Sequence, residues 1–97
     1  MLPDLSNKEH LILGLLVTHG QLYGLELVKK SEGQLKRGTV YTTLSRMIDK
    51  GYLNFSVEEN ATHSGLPRRK YSLTGHGRKV FEEFNVYAAS FVKGFAI

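Results

Sequence analysis

The sequence predicts a mainly α-helical domain with one β-hairpin, and three observations support this prediction. Three stretches with helical spacing of apolar residues come first, the apolar period changes to 2 after Gly51, and a last helical stretch follows Gly77. With 97 residues, of which 41% are hydrophobic, the chain is long enough for one domain with a modest core. The predicted order is helix, helix, helix, two-stranded hairpin, helix.

The first helix begins at a predicted capping box, SNKE at residues 6–9. The Ser6 hydroxyl can accept the Glu9 amide while the Glu9 carboxylate reaches back to the Ser6 amide. Gly20 ends the helix. Residues 11–17 are apolar nearly all the way round, whereas a surface helix needs only one apolar stripe. We therefore expect this helix to be covered on two sides, one of them by something outside its own domain.

The second and third helices are shorter. The second covers about residues 22–30 and has Leu22, Leu25 and Val28 at helical spacing. The third follows Gly38, with Thr39 as candidate N-cap, and Gly51 ends it. Its buried stripe is predicted to consist of Val40, Leu44, Met47 and Ile48, so polar residues occupy the other side.

The hairpin and the last helix complete the prediction. Leu53, Phe55 and Val57 alternate with polar residues or Tyr as in a half-buried strand, a polar loop follows over residues 58–67, and residues 68–73 return as a second strand. The last helix runs to about residue 93. Its apolar seam has spacings of 3, 4, 3 and 4 and comprises Phe81, Phe84, Ala88, Phe91 and Phe95.

Positive charge is concentrated in the middle of the chain. The net charge is +4, and residues 36–79 hold nine basic residues against three acidic ones. Such a concentration favours a polyanionic partner such as nucleic acid. A polar third-helix face beside a basic hairpin is the plan of a winged helix-turn-helix, in which one helix enters the major groove of double-stranded DNA.

The predicted DNA-binding residues lie on or near the third helix and on the second strand of the hairpin. Hydroxyl groups can form hydrogen bonds with nucleobase edges or phosphates, and a guanidinium can pair with guanine. Basic residues just before a helix N-terminus are well placed to bind phosphate. Tyr41 is expected to be half buried, with its hydroxyl at the DNA. The set is Lys36, Arg37, Thr39, Tyr41, Thr42, Thr43, Arg46, Lys50, Arg68, Arg69 and Lys70.

The second strand divides its bases between two faces. Arg69 shares a side with Tyr71 and Leu73, while Arg68 and Lys70 share the other. Arg68 and Arg69, nearest the turn, are the predicted contacts to the minor groove or its phosphates. A cross-strand ion pair of Glu58 or Glu59 with one of these arginines is the competing explanation for the charges.

Other classes of function lack the residues they require. The chain has no Cys, and its four His residues are scattered without metal-ligand spacing, so we expect no metal site and no cofactor. Without a nucleophile elbow, phosphate loop or paired carboxylates, we expect no catalytic residues and no enzyme. No apolar run reaches the roughly 20 residues of a membrane span, so a cytoplasmic protein without membrane contact is expected.

Four motifs resemble the PadR family of bacterial and archaeal transcriptional regulators. They are LILGLL, LYGLELVKKS, GTVYTTLSRMIDKGYL and GLPRRKYSLTGHGR, and together the resemblance covers about residues 8–85. It implies a winged helix-turn-helix over residues 1–74 and a C-terminal dimerisation helix over residues 75–97. It also implies a homodimer on a palindromic operator, with repression by occupancy as the usual outcome. The dimer interface would comprise Leu11, Leu15, Phe81, Phe84, Ala88 and Phe91.

Some positions depart from the family pattern. Arg37 replaces the usual Ser or Pro, and Ser72 replaces a usual second Tyr. The single helix after Gly77 resembles the small class of the family, without an extended effector domain. Members that stack flat aromatic ligands use a Trp of the last helix; this chain has no Trp, and Ala88 takes the corresponding place. A small-molecule effector is therefore left open and unsupported.

A second class of function fits the same fold. A winged helix can serve as a protein-interaction or DNA-segregation adaptor module without operator-specific regulation. The two readings differ in their response to salt, because binding through several phosphates weakens steeply with ionic strength.

Overall fold

The computed structural model describes residues 4–58 and 68–95, with side chains up to Val86. The described helices are α1 (Asn7–His19), α2 (Gly24–Lys30), α3 (Val40–Asp49) and α4 (Gly75–Phe95). The strands are β1 (Leu22–Tyr23), β2 (Leu53–Glu58) and β3 (Arg68–Leu73). Glu58, predicted to begin the loop over residues 58–67, is the last residue of β2; the rest of that loop lies outside the described residues, as do the side chains of Ala88, Phe91 and Phe95.

The predicted capping box of α1 is confirmed. The Ser6 hydroxyl accepts the Glu9 amide at 3.2 Å, and the Glu9 carboxylate accepts the Ser6 amide at 2.8 Å. The helix ends at Gly20, whose φ of 85° lies in the region that glycine adopts without strain. Its residues Ile12, Leu13 and Leu16 are fully or almost fully buried.

Two residues predicted as helix form a strand instead. Leu22 and Tyr23 pair with Tyr71 and Lys70 of β3, so the sheet has three antiparallel strands in the order β1-β3-β2. The helical prediction is wrong here because the Glu26 carboxylate accepts the Tyr23 amide at 2.8 Å and starts α2 only at Gly24. The predicted two-stranded hairpin is thus extended by a short third strand.

The later start of α2 also changes which of its residues face the core. Leu25, predicted to be buried, is 46% exposed, whereas Leu27 is fully buried. The core-facing positions are Gly24, Leu27, Val28 and Ser31, which follow the i, i+3, i+4, i+7 spacing of one helix face.

The hairpin of β2 and β3, called the wing below, leaves the core after its first residues. Leu53 is buried opposite Leu73, and Tyr71 of β3 is buried opposite Phe55. Phe55 and Val57, predicted to alternate into the core, are 39% and 47% exposed. The prediction of a half-buried β2 is therefore wrong beyond Leu53, because the described core lies only against the first residue of this strand.

A close approach of two backbones fixes the start of α4. The Thr74 hydroxyl donates to the Gly51 carbonyl at 2.6 Å and accepts the Gly77 amide at 2.9 Å. A Cβ atom at Gly77 would lie 2.1 Å from the carbonyl oxygen of Tyr52, so this position requires glycine. The contact ties the first turn of α4 to the segment between α3 and β2.

Candidate nucleic-acid interface

Helix α3 buries one side and exposes the other, as its sequence predicts. Val40, Leu44 and Met47 are buried, and Ile48 is half buried. On the opposite side Thr42 and Arg46 are exposed, and Thr43 is half exposed. The Thr43 hydroxyl donates to the Thr39 carbonyl at 3.3 Å, while its oxygen can still accept. The exposed side thus presents hydroxyl and guanidinium groups to a partner.

The segment before α3 adds two exposed bases. Lys36 and Arg37 are both exposed, and the Lys36 carbonyl accepts the amides of Thr39 and Val40 at 3.1 and 2.9 Å. Thr39 occupies the N-cap position, but its hydroxyl makes no capping hydrogen bond and its side chain is exposed. The bases therefore flank the positive end of the helix dipole, where an anion is favoured.

Tyr41 connects α3 to α2 and remains accessible. The side chain is 47% exposed, and its ring lies against Gly24, where an added Cβ would come within 2.6 Å of the ring. Glycine at position 24 therefore allows the Tyr41 ring to pack closely against the start of α2. This packing fits the expectation that Tyr41 is partly a core residue.

The three bases of β3 are divided between the two faces of the wing, as the alternation predicts. The Arg68 guanidinium lies 3.7 Å from the centroid of the Tyr23 ring, and the Lys70 ammonium lies 5.3 Å from the same ring. Arg69 is on the other face, with its guanidinium 4.5 Å from the centroid of the Phe55 ring. Each of these basic side chains makes a cation–π contact, which is worth about 0.5–1 kcal/mol at exposed sites.

A groove joins the third helix to the wing. Its volume is about 470 Å³, and Tyr41 of α3 lines it together with Arg68 and Arg69 of β3. The other lining residues are Tyr23, Leu25 and Tyr71. The exposed position of Leu25, which the sequence pattern did not predict, places it in this groove. Residues far apart in the sequence therefore form one surface with aromatic and cationic groups.

Lys50 is directed away from this surface. Its ammonium lies 2.9 and 3.0 Å from the two carboxylate oxygens of Glu9 and 3.4 Å from the Asp4 carboxylate. The Glu9 side chain is only 4% exposed. Burial by itself lowers the pKa of Lys50, but hydrogen bonding and charge from Glu9 and Asp4 outweigh it and raise the pKa above its ordinary value. Lys50 thus neutralises a buried carboxylate.

We predict that Lys50→Ala destabilises the fold by about 2–3 kcal/mol, because it leaves the buried Glu9 carboxylate without its counter-ion. Urea unfolding followed by circular dichroism measures this loss, with Lys8→Ala as the matched control for an exposed lysine. Since the Lys50 pKa is raised in the folded state, the contribution is complete below the ordinary value of 10.5 and disappears as the pH rises through the folded value. Equal stability of the two variants would contradict a structural role for Lys50.

Tyr23 and Glu58 also belong to this surface, although neither is among the predicted DNA-binding residues. The Tyr23 hydroxyl donates a hydrogen bond to the Glu58 carboxylate, and this bond raises the pKa of the phenol above its ordinary value. Glu58 also lies 3.8 Å from the Lys70 ammonium. The sequence suggested an ion pair of Glu58 with an arginine; among the described residues, Lys70 is its ion-pair partner.

The predicted dimer residues meet at the junction of α1 and α4. Leu11, Leu15, Phe81 and Phe84 are each half buried. Leu11, Leu15 and Phe81 line a groove of about 560 Å³ together with Asn7, His10, Gly14, Thr18 and Gln34. The His10 ring stacks on Phe81, with ring centroids 5.2 Å apart, and lies tilted against Phe84, with centroids 4.4 Å apart. The groove between α1 and α4 therefore has half-buried apolar residues beside polar ones.

Residues 4–58 and 68–95 contain neither a membrane-spanning helix nor a cluster of metal ligands. No helix there combines the length and apolar character needed to cross a membrane. No group of three or more His, Asp or Glu side chains there is arranged to hold a metal ion.

Three helices followed by the wing, with an exposed polar helix face beside basic strand residues, define a winged helix-turn-helix protein. Residues 12–83 match the Transcriptional regulator PadR-like family. The chain belongs to this PadR-like family, whose members are transcriptional regulators and not enzymes. No sequence match was found among curated proteins.

Solved structures agree with this assignment. A PadR family transcription regulator from Clostridium difficile superimposes with a TM-score of 0.73 at 29% identity, over 93% of this chain and 94% of that one. PadR of Bacillus subtilis in complex with operator DNA gives a TM-score of 0.67 at 28% identity, over 79% of this chain and 45% of that one. The YusO protein of Bacillus subtilis shares the fold, with a TM-score of 0.83 at 19% identity. The match covers 96% of this chain but only 62% of the YusO chain.

Proposed function

We propose that this protein is a sequence-specific regulator of transcription that binds double-stranded operator DNA through α3 and the wing. The observation that carries the proposal is the groove in which Tyr41 of α3 meets Arg68 and Arg69 of β3. It brings the first turn of α3 next to the basic wing, which supports the proposal that a single duplex contacts both the exposed helix face and the wing. The Bacillus subtilis PadR structure with operator DNA, at 28% identity, supports the same use of the fold.

In this proposal α3 reads the sequence in the major groove. Arg46 and Thr42 project from its exposed face, where a guanidinium can make two hydrogen bonds to guanine and a hydroxyl can bond a base edge. Thr39 and Thr43 lie beside them and contact bases or phosphates.

The remaining contacts are to the DNA backbone. Lys36 and Arg37 lie at the N-terminal end of α3 and contact phosphate there. Tyr41, with an accessible ring edge, contacts phosphate through its hydroxyl. Arg68 and Arg69 reach the adjacent minor groove or its phosphates, and Lys70 is a flanking phosphate contact. Lys50 is left out of the proposed interface because its ammonium is paired with Glu9.

We further propose that the protein acts as a homodimer that represses transcription by occupying a palindromic operator. The half-buried side chains of Leu11, Leu15 and Phe81 in the second groove support this, since a second copy would complete their burial. The seam of α4 that begins with Phe81 and Phe84 would pack across α1 of a second copy. Two copies related by a two-fold axis present two α3 helices to two half-sites.

The salt dependence of duplex binding tests this function against a protein-interaction role. We expect the logarithm of the binding constant to fall linearly with the logarithm of salt concentration, with a slope of about −0.9 per phosphate neutralised. Fluorescence anisotropy with a labelled duplex measures the slope. Absence of duplex binding at low salt would contradict the proposal and favour the interaction module.

A further inference from the structure

An acidic residue lies among the bases of the wing. Glu58, the last residue of β2, is directly opposite Arg68 in the strand register. Its carboxylate accepts the Tyr23 hydroxyl and lies 3.8 Å from the Lys70 ammonium. The Arg68 guanidinium stacks on the same Tyr23 ring at 3.7 Å. The Tyr23 ring therefore contacts both basic residues on this face of the wing, and the Glu58 carboxylate pairs with Lys70.

This arrangement competes with the contact that a phosphate would make. Glu58 and a DNA phosphate are both anions, so they compete for the Lys70 ammonium, and Glu58 repels a phosphate that approaches the neighbouring Arg68. The Glu58 and Lys70 side chains are 44% and 32% exposed, so the pair is partly solvated and is worth roughly 0–1 kcal/mol. An interaction of this size weakens a phosphate contact without preventing it.

We propose that Glu58 limits the binding of the wing to DNA of arbitrary sequence by pairing with Lys70 and by repelling phosphate from the neighbouring Arg68. The inference rests on the DNA-binding function proposed above. In a nonspecific complex nearly all of the affinity comes from phosphate contacts, and no base contacts fix the wing against the backbone. Such a complex therefore loses affinity to Glu58. At an operator the base contacts of α3 fix the position of the wing, and the better-placed phosphates displace Glu58 from Lys70 more completely.

Glu58→Gln tests the proposal, with duplexes of random sequence and the selected operator as probes. We expect the affinity for random duplex to rise about two- to fivefold and its salt slope to steepen by about 1, because Lys70 becomes available to phosphate. The affinity for the operator should rise by less, so that the ratio of specific to nonspecific affinity falls. Glu83→Gln, the same charge change at an exposed position of α4, is the matched control and should change neither.

Tyr23→Phe separates the hydroxyl from the ring. It keeps the ring under Arg68 but removes the hydrogen bond to Glu58, so its effect should be smaller than that of Glu58→Gln. Circular dichroism of each variant verifies that the fold is kept.

The outcomes distinguish this inference from the proposed function. If the wild type binds no duplex, the DNA-binding function itself fails. If the wild type binds and Glu58→Gln behaves like Glu83→Gln, only the role of Glu58 is overturned. An equal rise for random and operator duplexes, or a loss of affinity for both, would also overturn it, because Glu58 would then be a simple repulsive charge or a structural support.

Discussion

Replacement of Arg68 and Arg69 by alanine together is expected to lower the affinity for operator DNA by about 3 kcal/mol, or roughly 100-fold. Each substitution removes a guanidinium and with it a charge-assisted contact to the minor groove or its phosphates. The salt slope should flatten by about 2, since about one counterion is released per phosphate contact. Anisotropy titrations at several salt concentrations measure both quantities in one experiment.

The control for this variant removes the same charge elsewhere. Lys29→Ala with Lys30→Ala takes away two exposed bases at the end of α2, outside the basic region, and should leave the slope nearly unchanged. Both arginines are exposed and make no ion pair among the described residues, so helicity should be kept. A DNA affinity equal to that of the control variant would contradict the proposal that the wing contacts DNA.

Leu15→Glu is expected to convert the proposed dimer into a folded monomer. Leu15 is half buried at the edge of the open groove, so a carboxylate there stays hydrated in a single chain but is desolvated in a dimer. Burial of an unpaired carboxylate costs several kcal/mol. Without the second half-site, operator affinity should fall by about 100-fold or more. Sedimentation equilibrium at micromolar concentration measures the change in mass.

Val86→Glu is the matched control for this substitution. Val86 is 66% exposed on α4 and lies off the phenylalanine seam, so the same apolar-to-acidic change should leave the dimer intact. A wild-type protein that sediments as a folded monomer, or a Leu15→Glu variant that remains dimeric, would contradict the proposed interface.

Much of the fold follows from local patterns in the sequence. The capping box at Ser6 and Glu9, the buried stripe of α3 and the alternation of β3 are each set by interactions over a few residues, and each is confirmed. Leu22 and Tyr23 could not be assigned in this way, because their strand exists only through pairing with β3. The exposure of Leu25 could not be predicted for the same reason, because the buried face of α2 is set by a helix that begins only at Gly24.

The candidate site was predictable in its outline and not in its pairings. The basic strand and the polar helix face are visible in the sequence, because they depend on residue type and periodicity. The ion pair of Lys50 with Glu9 joins residues 41 positions apart in the sequence. Helical periodicity does not detect such a pair and places Lys50 on the exposed face of α3. Likewise the contact of Tyr23 with Glu58 requires β1 to lie beside the wing, which the predicted helix did not allow.

Selection of bound duplexes from a random pool, with wild type and Arg46→Ala in parallel, tests whether α3 reads the base sequence. We expect the wild type to enrich a palindrome whose half-sites are centred about one helical turn apart. Arg46→Ala should keep the palindrome but lose preference at one position of each half-site, at a cost of about 1–3 kcal/mol there. No enriched sequence with the wild type, or a uniform loss across all positions with Arg46→Ala, would contradict base reading by α3.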